Sequence, residues 1–287
     1  CRELKTTTLA SGQSEYGAVA TDATTVYWLD RGTADDGYAT GAVMKVAKAG
    51  GDAVRVAADK GGLSQIALDD TQVYWLRAEG GEVMRAPKAG GAPIAAVSGL
   101  RTLGGIAVDA TSIYVTESVW SGNLLKIPKQ GGQALTIASE LRRPSEVAVD
   151  AGHVYWISAA SVDDGAIWRA PIGGGAPVML VDKQRWPRAL VVDAGGIYWV
   201  ASRKAEPEGQ IDRVLRAPLE GGAPTVLADN QSGVLSLAVD ARNVYWPSMS
   251  SGQVLGTPRA GGVEPLVIAD KQNGPGAIAV DEAGIYW

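Results

Sequence analysis

One word recurs seven times along this chain of 287 residues: an apolar run ending in Asp, a short turn, then Val or Ile followed by Tyr and, in six copies, Trp. The Asp stands at Asp22, Asp69, Asp109, Asp150, Asp193, Asp240 and Asp281, and five residues after each comes Tyr27, Tyr74, Tyr114, Tyr155, Tyr198, Tyr245 and Tyr286. Successive copies lie 47, 40, 41, 43, 47 and 41 residues apart. A repeat of that length built from strands is the size of a propeller blade, and such a unit buries its apolar faces only by packing on its neighbours. The repeat therefore predicts an all-β chain, a β-propeller of four-stranded antiparallel blades.

Each unit reads as four short strands, A to D: in the fourth copy, 145–150, 153–157, 166–170 and 177–181, all β-branched or aromatic runs bounded by Gly, Pro, Asp and Asn. Two residues before each Asp stands Ala20, Ala67, Ala107, Ala148, Val191, Ala238 or Ala279. Small side chains suit the crowded axis, so strand A is expected innermost. The Asp is expected to cap the A–B turn by accepting backbone N–H groups. The C–D connections read Pro87-Lys88-Ala89-Gly90-Gly91, Pro128-Lys129-Gln130-Gly131-Gly132, Pro218-Leu219-Glu220-Gly221-Gly222 and Pro258-Arg259-Ala260-Gly261-Gly262. Their paired Gly supply the positive φ of a tight hairpin, which is turn chemistry and not a phosphate loop.

A single domain over 1–287 follows, with a lead-in at 1–5 and units near 17–58, 64–98, 104–138, 145–182, 188–228 and 234–270. Residues 276–287 supply one more A and B, while Thr6-Thr7-Thr8-Leu9-Ala10-Ser11 lines up with the strand D of Pro224-Thr225-Val226-Leu227-Ala228-Asp229. The expectation is a seven-bladed ring whose last blade joins both ends of the chain, its strand C lying beyond Trp287, so that no sheet edge stays open. The Ala-Val-Asp, Tyr-Trp and Pro-Lys-x-Gly-Gly words resemble those of YWTD and NHL propellers and are similar to those of bacterial extracytoplasmic propellers. That resemblance implies the fold across the whole chain; its families include receptors, scaffolds, lyases and lactonases, so it does not choose a function.

In such a blade the A–B and C–D connections share one face, and the B–C and D–A connections the other. The first face is nearly uniform from unit to unit; the second carries all the length variation, and is where a ligand is expected. Thirteen of the eighteen aromatic residues belong to the Tyr-Trp words and are read as core. Of the rest, Trp168 falls on a strand C and is read as core too. Tyr16, Tyr38, Trp120 and Trp186 fall on or beside the variable loops, as do Arg142, Arg143 and Arg185; these seven are the candidate ligand-binding residues.

Enzyme signatures are sparse. Nucleophilic triads and most metal hydrolases use His, and the one His, His153, sits in an A–B turn on the uniform face. The streptogramin lyases, which share this kind of fold, rely on more than one His. Ser161 to Trp168 is similar to the Asp-box of sialidase-like propellers, but Ile167 replaces the usual Thr and the segment lies in a B–C connection. Asp35, Asp36, Asp163 and Asp164, with Glu79, Glu117, Glu206 and Glu208 on the same face, offer hard oxygens to a Ca²⁺ ion; acidic loops are more often simply solvated, and no other cofactor is expected. The leading expectation is a non-enzymatic propeller presenting its B–C and D–A loops to a protein or glycan partner. The alternative is a metal-assisted lyase or hydrolase using loop carboxylates.

With 26 basic against 31 acidic residues, a net charge of −5 and no basic run, nucleic acid is not an expected partner. No stretch is long and apolar enough for a membrane helix. The lone cysteine is Cys1, which excludes a disulfide framework. A Cys at the first position resembles the processed start of a bacterial lipoprotein, which implies lipid attachment at Cys1 and an extracytoplasmic place, outer-membrane-anchored or secreted. Arg2 in place of Asp would permit outer-membrane sorting.

Overall fold

The computed structural model describes residues 6–12, 16–33, 40–204 and 210–287. Six sheets of four antiparallel strands follow one another, each a meander from inner to outer strand: 16–58, 63–97, 103–141, 144–184, 188–231 and 238–269. These are blades 1 to 6. In blade 4 the strands are Pro144–Val149, His153–Ser158, Gly165–Pro171 and Val178–Gln184. Strand B is buried along most of its length because neighbouring blades cover both its faces, which is why it reads as a continuous β-branched and aromatic run rather than an alternating one.

The propeller has six blades, not the seven expected from the repeat count. The seventh Asp-Tyr word forms only a two-stranded hairpin, Ala279–Val280 with Ile285–Tyr286, and residues 6–12 form no strand. A strand D from the N-terminus would have to lie two strand positions, about 10 Å, from the B strand of that hairpin. With no strand C between them among the described residues, residues 6–11 have no edge to pair with. Leu9 and Ala10 instead pack, as Tyr286 does, on the cluster of Val26, Trp28 and Val46. The hairpin is wedged between blades 6 and 1: the Ile278 N–H lies 3.3 Å from Ser236 Oγ, and Thr21 Oγ1 donates to Asp281 at 3.0 Å. Lys48 of blade 1 forms an ion pair with Asp281, joining sites 233 residues apart.

Five of the seven repeated aspartates perform two tasks. One oxygen of Asp69 accepts from the Thr71 and Gln72 amides at 2.9 and 2.8 Å, and the other accepts from the Tyr74 hydroxyl at 2.7 Å. Asp22, Asp109, Asp150 and Asp240 repeat this pattern with Tyr27, Tyr114, Tyr155 and Tyr245. The five-residue spacing in the sequence is thus the reach of a buried tyrosine back to the turn that precedes its strand.

The blades are also stitched to one another on this face. Lys129 of blade 3 donates to Asp69 of blade 2 at 2.7 Å and lies 5.3 Å from the Tyr74 ring centre. Lys88 does the same to Asp22 and Tyr27, and Arg259 to Asp193 and Tyr198. The second residue of the Pro-Lys-x-Gly-Gly word is therefore a latch to the preceding blade. Blade 4 departs from the rule on both sides: Ile172 stands at its own latch position, and Leu219 at that of blade 5. There the strand C cations Lys126 and Arg169 reach forward to the Ile172 and Leu219 carbonyls, at 3.1 and 2.9 Å.

Candidate functional site

The variable face is organised around blade 4 by a run of backbone hydrogen bonds between successive loops. Arg143 N–H donates to the Val119 carbonyl at 3.0 Å, and Ala159 N–H to the Arg142 carbonyl at 3.0 Å. Trp186 N–H donates to Val162 at 2.9 Å, and Ser202 N–H to Arg185 at 2.7 Å. These bonds draw Trp120, Arg142, Arg143, Arg185 and Trp186 into one belt over blades 3 to 5. Trp120 is 58% exposed and Trp186 48%. The Arg143 guanidinium lies 5.6 Å from the Trp120 ring centre, close enough for a cation–π contact. Arg185 forms an ion pair with Asp163.

The backbone beneath two of these side chains is unusual. Arg143 and Trp186 stand five residues before the small residue of their inner strands, at φ 45° and 46°. At the same position blades 2 and 6 and the closing hairpin have Gly62, Gly233 and Gly274, at φ 76°, 64° and 58°. Glycine takes this left-handed conformation without strain, whereas a bulky residue there costs about 1–3 kcal/mol. Blades 4 and 5 thus hold an exposed Arg and an exposed Trp where the fold alone favours Gly.

Outside this belt the variable face is laced by paired charges. Glu117, 5% exposed, accepts from Arg101 N–H at 2.9 Å, from the Arg101 guanidinium and from Asn123 at 2.7 Å. Burial works against its charge, but Arg101 outweighs it and holds the carboxyl below its ordinary value. Asp59 is held by Arg77 and Trp75, and Asp212 by Arg188, Ser202 and the Val234 amide. Asp164 accepts from the Ser161 amide. Among the described residues no three Asp, Glu, His or Cys side chains gather closely enough to hold a metal ion. One carboxyl is pushed up, to about 7, by burial: Glu146 on the inner strand of blade 4. The equivalent positions of the other repeats carry no acid: they are Ala18, Gln65, Gly105, Ala189, Ser236 and Ala277.

Of the remaining expectations, Tyr16 opens the inner strand of blade 1. Cys1, Asp35, Asp36, Tyr38, Glu206 and Glu208 lie outside the described residues. His153 opens strand B of blade 4, 3.8 Å from Asp150 on the uniform face. Trp168 is core on one side only: it stacks on Trp156 at 6.4 Å between ring centres, and it also lines a groove of about 490 Å³ at the outer end of the seam between blades 3 and 4.

That groove was not foreseen, although a sequence signal points to it. Fifteen residues before Trp199, Trp246 and Trp287 stand Gln184, Gln231 and Gln272, and each accepts the indole N–H at 3.0–3.1 Å. Fifteen before Trp156 stands Leu141, and the buried Trp156 Nε1 has no hydrogen-bond partner.

No protein-family model matches the sequence, and no curated protein matches it either. Solved structures do resemble the fold. Kuenenia stuttgartiensis hydrazine synthase matches with a TM-score of 0.76 at 13% identity, over 97% of this chain and 93% of that one. Virginiamycin B lyase from Staphylococcus aureus matches with a TM-score of 0.69 at 11% identity, over 93% and 88%. A chain of the nidogen/laminin complex matches with a TM-score of 0.65 at 18% identity, over 89% and 97%. At such identities the likeness concerns architecture alone, and propellers of both lyase and complex-forming kinds share it. Repeat, sheet order and structural likeness agree that the chain is a β-propeller of four-stranded antiparallel blades.

Proposed function

We propose that this propeller is a binding module without a reaction of its own, which takes a protein or glycan partner on the belt of Trp120, Arg142, Arg143, Arg185 and Trp186. The observation that carries this reading is the strained backbone under Arg143 and Trp186, which presents large side chains to solvent where Gly serves the fold better. Trp and Arg are also the residue types that most often dominate the energy of an interface. Near the belt, Asp163 is spent on Arg185, and Asp164 commits one oxygen to the Ser161 amide. The lone His lies on the opposite face.

The test uses Trp186→Gly. The wild-type chain is screened on a printed glycan array and against a displayed peptide library, and the best binders are remeasured with the variant. The expected result is at least a tenfold loss of affinity, about 1.4 kcal/mol, for one or more of these ligands. Relief of the left-handed strain raises the free energy of unfolding by about 1 kcal/mol in the same variant. Undiminished binding of every selected ligand would sink the reading.

A further inference from the structure

The groove at the seam of blades 3 and 4 combines several departures from the repeat at one place. Its wall includes Trp168, at the strand C position where the other blades carry Met44, Met84, Leu125, Leu215 and Leu255. One face of that indole is stacked on Trp156, and Trp168 itself is half-buried. Leu141, another wall residue, replaces the Gln that bridges three sister seams, leaving the Trp156 indole N–H buried and unpaired. An unmet donor of this kind costs about 1–3 kcal/mol. The latch that would tie this seam to Asp109 on the opposite face is replaced by Ile172. The fold has given up two stitches here and gained an aromatic wall.

The remaining chemistry of the wall is nearly neutral. Glu140, Asp164 and Asp182 supply carboxylates, and Arg142 and Lys183 supply cations. A volume of about 490 Å³ falls in the range of small-molecule sites, roughly 300–1,000 Å³, and is a groove rather than the broad surface of a protein interface. One half-buried aromatic ring edged by both hydrogen-bond acceptors and donors, with charges almost cancelling, suits a ring that is apolar on its face and rich in hydroxyls at its rim. We propose that this groove is a binding site for a short neutral oligosaccharide, with a pyranose against Trp168 and its hydroxyls shared between the Asp164 and Glu140 carboxylates and the Arg142 guanidinium.

This rests on the binding role proposed above, and the two fail separately. Wild-type protein is applied to an array of neutral di- to tetrasaccharides, and the best of them is titrated free in solution by calorimetry. A dissociation constant at or below about 1 mM is expected. Trp168→Leu places the residue of blades 3, 5 and 6 at that position and keeps the fold; it should weaken the sugar at least thirtyfold. Leu141→Gln should raise the melting temperature through the restored indole bridge, as Gln184, Gln231 and Gln272 provide in their seams. Sugar affinity should stay within about threefold in Trp186→Gly.

Three results would overturn the site: no neutral saccharide bound at about 10 mM, unchanged sugar affinity in Trp168→Leu, or a groove that requires Trp168 only for peptides. A sugar lost in Trp168→Leu, alongside a partner indifferent to Trp186→Gly, would uphold the groove and remove the belt.

Discussion

Replacing Asp69 by Ala lowers the free energy of unfolding by about 4 kcal/mol and the melting temperature by about 10 °C. Five donors meet on this carboxylate: the Thr71 and Gln72 amides, the Thr71 hydroxyl at 3.4 Å, the Tyr74 hydroxyl and the Lys129 ammonium. The Lys129 side chain is 7% exposed and that of Asp69 20%, so deleting the carboxylate leaves a largely buried cation without its partner. Uncompensated burial of that kind, rather than loss of the attraction alone, makes the cost large. Asp109 is the internal control. It caps its turn and holds Tyr114 in the same way but meets no latch, because Ile172 stands where the cation would come from. Asp109→Ala should therefore cost about 2 kcal/mol. Chemical denaturation of both variants, with a double-mutant cycle on Asp69 and Lys129, measures the difference. Equal losses for the two aspartates would show that the latch contributes nothing.

Stability is also expected to collapse on both sides of a broad plateau. The carboxyls of Asp22, Asp69, Asp109, Asp150, Asp240 and Asp281 sit below their ordinary value. Burial opposes their charge, but the latch cations and turn hydrogen bonds outweigh it. A carboxyl depressed in the folded state contributes stability that is present above its unfolded pKa, near 4, and lost as pH falls through the folded value. Because the groups repeat around the ring, their losses accumulate, and the protein unfolds in acid below about pH 4.

The tyrosines act in the opposite sense. Burial first, and the neighbouring Asp22 or Asp150 charge and hydrogen bond after it, push Tyr27 and Tyr155 up to about 12. Tyr74, Tyr114, Tyr245 and Tyr286 are raised as well. An acid held neutral by the fold contributes stability that is complete below its unfolded pKa near 10 and disappears as pH rises through the folded value. Thermal melts across the pH range should show a flat region from about pH 5 to 9 with steep losses beyond pH 4 and pH 10. A melting temperature unchanged at pH 3 would contradict the carboxylate assignment, and one unchanged at pH 11 the tyrosine assignment.

What could be read in advance, and what could not, follows from the distance between interacting residues. The Asp-to-Tyr spacing encodes a contact completed within one turn and one strand, so pattern alone located the strands, the turn caps and the two faces. The belt was partly legible in the same way, since Trp120, Arg143 and Trp186 interrupt loops that are otherwise small and polar. The strain beneath Arg143 and Trp186 was not, because a left-handed φ belongs to the backbone and shows in composition only where Gly occupies it.

The last blade marks the same boundary from the other side. An aligned stretch at 6–11 looks like a strand D, yet a strand forms only when an edge stands beside it, and that depends on what lies between the chain ends in space. The stitches across seams are of this kind too: Lys129 to Asp69 spans 60 residues and Lys48 to Asp281 spans 233. Lys and Asp are among the commonest residues of any surface, so neither advertises its partner. Repetition in the chain therefore declares each blade, because a blade satisfies most of its own hydrogen bonds. How many blades close, which seams are latched and where one opens into a groove emerge when residues far apart in the chain are brought together.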